Sequence, residues 1–308
     1  MGELCEWEIK INRIKDFSKY QGCYCLIRRS GNEVGLFSHF LTNLGNIALA
    51  INYGLIPVID MKNCVNTWTS LAPEKDINPW EYFFRQPCSL GLDDIMVSDT
   101  VIIQDDVPDS HKRPSDSMEF LTNDKAIRFW QDIVDKYIHL SVRAENYFRE
   151  QYDKLLKGKK AIGVLCRGTD YVAMGPVGHP VQPKIEDIID KVREIMKFSD
   201  CDYIFLATED KLVYKQFRKA FSDRLLILES DRFEHNVSTY LYDVQKTQKT
   251  DVYRMSLEYL TSIYLLSKCN GLVAGRTSGS VGALLLARGY QYCYYFNEGR
   301  YGINDFIV

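Results

Sequence analysis

The hydrophobic positions of the chain change period several times, and each change marks an element. A short apolar run from Cys23 to Ile27 predicts a strand, followed by a polar turn with Gly31 and Asn32. From Leu36 to Ile51 the period becomes helical, with Leu36, Phe37, Phe40, Leu41, Leu44, Ile47, Ala48 and Ile51 on one side and Gly54 as a stop. Ile56 to Asp60 returns to a strand pattern. Strand, helix, strand in that order predicts a parallel, Rossmann-like sheet. Residues 62–125 resist parsing, and their stretch VPDSHKRPSDS reads as an exposed loop. Ala126 to Lys157 is charged and helical, and the basic turn Lys157-Gly158-Lys159-Lys160 marks a domain boundary, giving domains of 1–157 and 158–308.

The second half alternates more clearly. Ala161 to Leu165, Tyr203 to Thr208, Leu225 to Leu228 and Gly271 to Ala274 read as buried strands. Pro183 to Phe198, Lys211 to Phe221, Val252 to Lys268 and Val281 to Arg288 read as helices, the last closed by Gly289. That order predicts a doubly wound α/β domain, whose ligands sit beyond the carboxyl ends of the strands.

Composition narrows the class. With 308 residues, 46% of them hydrophobic and 26% charged, the chain suits two domains of ordinary size. Its 38 basic and 41 acidic side chains leave a net charge of -3, and no Lys/Arg run supplies the footprint of a nucleic-acid binder. The opening MGELCEWEIKINRIKDF interleaves charge with apolar residues, and the longest apolar stretch, Leu44 to Asp60, is interrupted by Asn46, Asn52, Gly54 and Pro57. The expectation is a soluble protein with at most peripheral membrane association. Nine cysteines without CxxC or Cys/His metal spacing read as reduced thiols of a cytoplasmic protein. In that compartment the glycosylation triplet Asn236-Val237-Ser238 has no consequence.

Three strands end in polar clusters suited to a nucleoside diphosphate: Arg167-Gly168-Thr169-Asp170-Tyr171, Thr208-Glu209-Asp210 and Arg276-Thr277-Ser278-Gly279-Ser280. Small hydroxyl residues and glycine between a strand and a helix let backbone amides approach an anion at the helix start. The plainer reading makes Thr277 and Ser280 ordinary N-caps. Arg167 has a planar fork suited to phosphate, and its plainer role is an ion pair with Asp170. Glu209 and Asp210 either cap the next helix or accept hydrogen bonds from a guanine edge or ribose. In the first half His39, Asn43 and Asn46 form a polar stripe on the helix, facing a cleft between lobes or, for His39 alone, simply lying at the surface. His179, in the turn-rich loop Gly175 to Pro180, either reaches the crevice or belongs to a connector.

These patches together resemble the bacterial and animal α-1,6-fucosyltransferases and the related α-1,2- and protein O-fucosyltransferases. GVLCRGTDY looks like the family's strand ending in His-x-Arg-Arg-Thr-Asp, and YIFLATEDKLVYKQF is similar to its strand ending in Ala-Thr-Asp-Asp. YLLSKCNGLVAGRTSGSV resembles its helix, strand and Ser-Ser phosphate loop, while Gly35 to Tyr53 with Val58-Ile59-Asp60, and Asn78-Pro79-Trp80-Glu81-Tyr82-Phe83, resemble its opening segments. The resemblance implies a GT-B-like fold of two Rossmann-like lobes with a cleft between them. It implies a glycosyltransferase passing fucose from GDP-fucose to a glycan acceptor without a metal or further cofactor. Arg167 would then neutralise the diphosphate, Asp210 with Glu209 would contact the nucleoside, and Ser278 would bind phosphate.

This sequence departs from the family pattern in places. Leu165 or Cys166 replaces the histidine before the arginine, Gly168 the second arginine and Ser262 the aspartate of the third motif, and no glutamate stands in Val172 to Gly178. The expected chemistry is inverting transfer with Asp170 as base and His179 and His39 behind it. Three alternatives remain: a nucleotide-sugar binding protein without transfer, a glycosyltransferase using another GDP- or UDP-linked sugar, and a dehydrogenase or epimerase disfavoured by the lack of GxGxxG after a first strand.

Overall fold

Strands and helices alternate through both halves of the chain, and every strand pairing is parallel among the residues described in this computed structural model, 8–31, 34–71, 76–235 and 241–303. Two compact units share the chain, one of residues 1–115 and 128–145 and one of residues 116–127 and 146–308. The triplet Asn236-Val237-Ser238 lies outside the described residues.

In the first unit β1 (Glu8–Lys10), β2 (Tyr24–Ile27), β3 (Ile56–Ile59) and β4 (Val101–Gln104) assemble in the order β1-β4-β2-β3. β2 and β3 follow from the apolar runs read in the sequence. β1, three residues long, shows no period, and β4, as short as β2 and β3, lies in the stretch that resists parsing; it gains its place by pairing with both β1 and β2. The helix Leu36–Asn52 crosses between β2 and β3 and is buried on its apolar side and on much of its polar side. The stretch 62–125, which resists parsing in the sequence, holds short helices and β4. Pro79–Phe83 is started by Asn78, whose side chain accepts from the Trp80 amide, and it stacks Trp80 on Phe84.

The charged stretch after residue 125 is two helices, Asp124–Tyr137 and Val142–Leu155, not one. The break has a tertiary cause: Ser141 donates its amide to Phe83 O at 3.0 Å and its hydroxyl to Tyr82 O at 2.8 Å. A continuous helix would have turned those donors inward along its own axis.

The second unit holds β5 (Ala161–Leu165), β6 (Tyr203–Ala207), β7 (Leu225–Ile227), β8 (Gly271–Ala274) and β9 (Tyr292–Tyr295), in the order β7-β6-β5-β8-β9. Ile162, Val164, Ile204, Leu206 and Val273 of the strands interlock with Ile188, Val192 and Phe217 of the helices Ile185–Met196 and Lys211–Phe221. Burying side chains of this size stabilises a fold by about 1.5–3 kcal/mol each. The helix read from Val281 begins earlier, at Ser278, because Thr277 caps it. A helix absent from the sequence reading, Thr169–Met174, follows β5 directly.

Register decides what meets at the strand ends. Leu165 of β5 lies opposite Ala207 of β6 and Ala274 of β8, so the three strands finish level. Arg167, Glu209 and Arg276, each two residues further on, therefore emerge at the same edge of the sheet.

Candidate active site

At that edge Arg167 keeps about a quarter of its side chain exposed, with Nε 3.7 Å from Glu209 Oε1 and the guanidinium 5.3 Å above the Tyr171 ring. The observed ion pair is thus with Glu209, from the neighbouring strand. The side chain of Asp170, the partner and base read from the sequence, lies outside the described residues. Glu209 Oε1 also accepts the Gly168 amide at 3.0 Å and the Thr169 hydroxyl at 3.2 Å.

Thr169 is buried and sits at φ 51°, a left-handed conformation that strains a β-branched residue. Its amide holds it there by donating to Asp210 Oδ2 at 2.9 Å. Gly168 is required by the same contact, since a Cβ at this position would collide with the Asp210 carboxylate. An arginine side chain at position 168, as in the family pattern, has no room beside this aspartate.

Asp210 is fully buried, and protein donors take both of its oxygens. Oδ1 accepts from the Leu212 and Val213 amides at 2.7 and 3.1 Å, capping the helix Lys211–Phe221, and Oδ2 lies 2.6 Å from His235 Nδ1. The half-buried Thr208 hydroxyl accepts the Asp210 amide. His235 carried no signal in the sequence, because the residue it meets is 25 positions away.

Beyond β8, Thr277 and Ser280 form a reciprocal capping box, with Ser280 N to Thr277 Oγ1 at 3.2 Å and Thr277 N to Ser280 Oγ at 2.9 Å. The capping role read from the sequence is real, yet it leaves the amides of Ser278 and Gly279 at the start of the helix, where intrahelical partners do not exist. Gly279 lies against the Tyr259 hydroxyl so closely that a Cβ would collide with it. Burial pushes the Tyr259 phenol up to about 12, with Arg167 pulling it down and Glu209 pushing it up, so this hydroxyl stays protonated beside the strand ends. Arg276 is buried and donates to Gly299 O at 2.9 Å, which makes it a brace of the chain after β9.

His179 is exposed, and its Nδ1 lies 2.6 Å from the Tyr171 hydroxyl. Its loop is more than a connector. Gly178 donates its amide to Tyr301 O, Tyr301 returns one to His179 O, and Arg300 joins Gly178 O to Asp116 Oδ1 at 2.8 and 2.7 Å. Burial raises Tyr171 to about 12, against the pull of Arg167.

In the first unit the stripe of His39, Asn43 and Asn46 is buried, which corrects the reading of His39 as a surface histidine. Its ring meets Trp68 edge-on at 5.7 Å, and neither ring nitrogen has a hydrogen-bond partner among the described residues. Burial, with Arg29 nearby, lowers its pKa to about 3, so it is neutral near pH 7. Asn43 Nδ2 likewise has no partner among the described residues, while Asn46 accepts from Gln104 at 3.2 Å. Arg29 donates to Ser38 O and Thr42 Oγ1, both at 2.6 Å, and burial lowers its pKa to about 10.

No family model matches the chain, and no curated protein matches it in sequence. Solved structures do. The fucosyltransferase NodZ from Bradyrhizobium superposes with a TM-score of 0.54 at 15% identity, over 92% of this chain and 98% of that one. NodZ α-1,6-fucosyltransferase soaked with GDP-fucose gives a TM-score of 0.52 at 15% identity, over 86% and 93%. The chain has the fold of these fucosyltransferases. At such low identity, the shared fold fixes the placement of strand ends and leaves the chemistry to the residues found there. Among the described residues no group of His, Cys, Asp and Glu could hold a metal ion, and no helix is long and apolar enough to cross a membrane.

Proposed function

We propose that the chain is a fucosyltransferase that takes GDP-fucose and passes the sugar to a glycan hydroxyl with inversion and without a metal. The nucleotide sugar is assigned to a C-terminal domain, 158–308, and the acceptor to an N-terminal domain, 1–157, with a cleft between two lobes. The observation that carries this reading is the level ending of β5, β6 and β8. It puts Arg167, Glu209 and the Ser278-Gly279 amides at one edge of a parallel sheet, where such folds bind nucleotides. Arg167 and those amides neutralise the departing diphosphate, and Tyr259 and Tyr171 limit water around the guanidinium.

Asp170 remains the first base candidate, and His179 behind it is supported by its exposure and by the Tyr171 contact that orients its ring. His39 is buried and neutral, and its place in the reading is structural. Every described cysteine is a free thiol, which supports a reducing, cytoplasmic compartment. Titration calorimetry with GDP, UDP and GDP-fucose in chelator tests the reading: selective GDP and GDP-fucose binding is expected. Binding of UDP alone, or of no nucleotide, overturns it.

The departures from the family pattern, with Gly168 in place of a second arginine and no glutamate in Val172 to Gly178, favour one second reading. The chain would bind the nucleotide sugar without transferring it. Slow hydrolysis of GDP-fucose by the pure protein separates the two, since a binder leaves the donor intact.

A further inference from the structure

The chain after β7 returns to the strand-end edge through a short parallel contact. Phe233 donates its amide to Glu209 O at 2.8 Å and accepts the Lys211 amide at 2.9 Å, so Arg232 to His235 runs beside Glu209 to Lys211. That contact delivers the His235 imidazole to Asp210, with Nδ1 2.6 Å from Oδ2. The same carboxylate oxygen accepts the Thr169 amide, while its partner oxygen is held by the Leu212 and Val213 amides. A carboxylate so placed only accepts, so the imidazole donates from Nδ1. The remaining ring nitrogen, Nε2, is then a hydrogen-bond acceptor on the neutral ring. The side chain keeps 22% of its surface exposed although Asp210 is sealed.

From these positions, and resting on the nucleotide-sugar reading above, we infer that His235 contacts the nucleoside of a bound nucleoside diphosphate. With Arg167 beyond β5 and the Ser278-Gly279 amides beyond β8 on the diphosphate, the ligand continues across the sheet toward β6 and β7. The groups waiting there are Glu209, engaged with Arg167 and the Thr169 loop, and His235. Nε2 accepts a hydrogen bond from a ribose hydroxyl or a base ring N–H. Asp210 does not touch the ligand; it is a positioning residue that fixes the tautomer and angle of the ring, as buried aspartates do for catalytic histidines. This assigns to His235 the nucleoside contact that the family resemblance gives to Asp210.

The test compares GDP with inorganic pyrophosphate by calorimetry on wild type, His235→Ala and His235→Gln. In His235→Ala, GDP affinity falls about tenfold while pyrophosphate affinity is unchanged, and His235→Gln, which keeps an acceptor, recovers most of the loss. Loss for GDP that its 2′-deoxy analogue does not share assigns the partner to the ribose 2′-hydroxyl; equal loss for both assigns it to the 3′-hydroxyl or the base. Unchanged GDP binding by His235→Ala, or parallel loss for GDP and pyrophosphate, overturns the inference while the nucleotide reading stands. Wild type that binds pyrophosphate and no nucleoside diphosphate overturns both.

Discussion

Asp60, just past the edge strand β3 of the first unit, and Asp210, three residues past the inner strand β6 of the second, are both buried carboxylates at strand ends, and comparing them separates scaffold from site. Each follows a parallel strand, each is fully buried, and each spends one oxygen on backbone amides just downstream: Lys62 and Asn63 for Asp60, Leu212 and Val213 for Asp210. They differ in the second oxygen. Asp60 Oδ2 accepts Arg28 Nε at 2.7 Å, from a guanidinium that only donates and has no acceptor atom to offer a ligand. Asp210 Oδ2 accepts from Thr169 and from His235, a partner whose second ring nitrogen is left to face a ligand. One motif, a buried carboxylate after a strand, makes a fixed strut when paired with arginine and an oriented binding group when paired with histidine.

The sharpest way to break this comparison is to neutralise both carboxylates. Asp60→Asn removes the carboxylate charge that faces Arg28, and urea unfolding should show a loss of about 3–5 kcal/mol. Asp210→Asn should lose less, about 1–3 kcal/mol, because the part-exposed His235 ring can turn to water and the asparagine oxygen still accepts one set of amides. Equal losses would mean the partner's chemistry is immaterial.

Next in size, Arg167→Ala should weaken GDP binding by about 2–4 kcal/mol, read by calorimetry, while leaving the unfolding midpoint nearly unmoved. Wild-type affinity in that variant would remove Arg167 from the diphosphate. Gly168→Ala drives a methyl group into the Asp210 carboxylate, and a destabilisation of about 1–3 kcal/mol is expected. A neutral result would show that the Thr169 turn relaxes freely.

The smallest effect concerns His39, whose pKa falls from an ordinary 6.5 to about 3 on burial. Between those values the unfolded chain binds a proton that the folded chain refuses, so stability rises with pH across that window and falls as pH drops below 6.5. Unfolding midpoints at pH 5 and 7 should differ less in His39→Leu than in wild type. An unchanged difference would place the pH dependence in other groups.

Much of the second unit was legible from its sequence, because its strands are buried apolar runs and its helices carry the full helical period. Arg167, Thr208 to Asp210 and Arg276 to Ser280 could be named as strand-end residues for the same reason. The first unit was less legible. β1 is too short to show a period, β4 sits in a stretch of short helices and turns with no single period, and the polar stripe of His39, Asn43 and Asn46 looks identical in sequence whether it faces water or a packed interior. Tyr259 carries a separate lesson: it reads as one more residue of an apolar helix, and only its contact with Gly279 brings it to the strand ends.

By itself the sequence determined the alternation of strand and helix and which residues follow each strand, since both depend on neighbours a few positions apart. Tertiary structure decided which polar groups satisfy one another. Thr169 meets Asp210 across 41 positions and His235 meets it across 25, distances that local periodicity does not span. Sheet register set those meetings, by stopping β5, β6 and β8 at the same level. The need to satisfy every buried donor and acceptor then turned Asp210 inward and left His235 as the group facing outward.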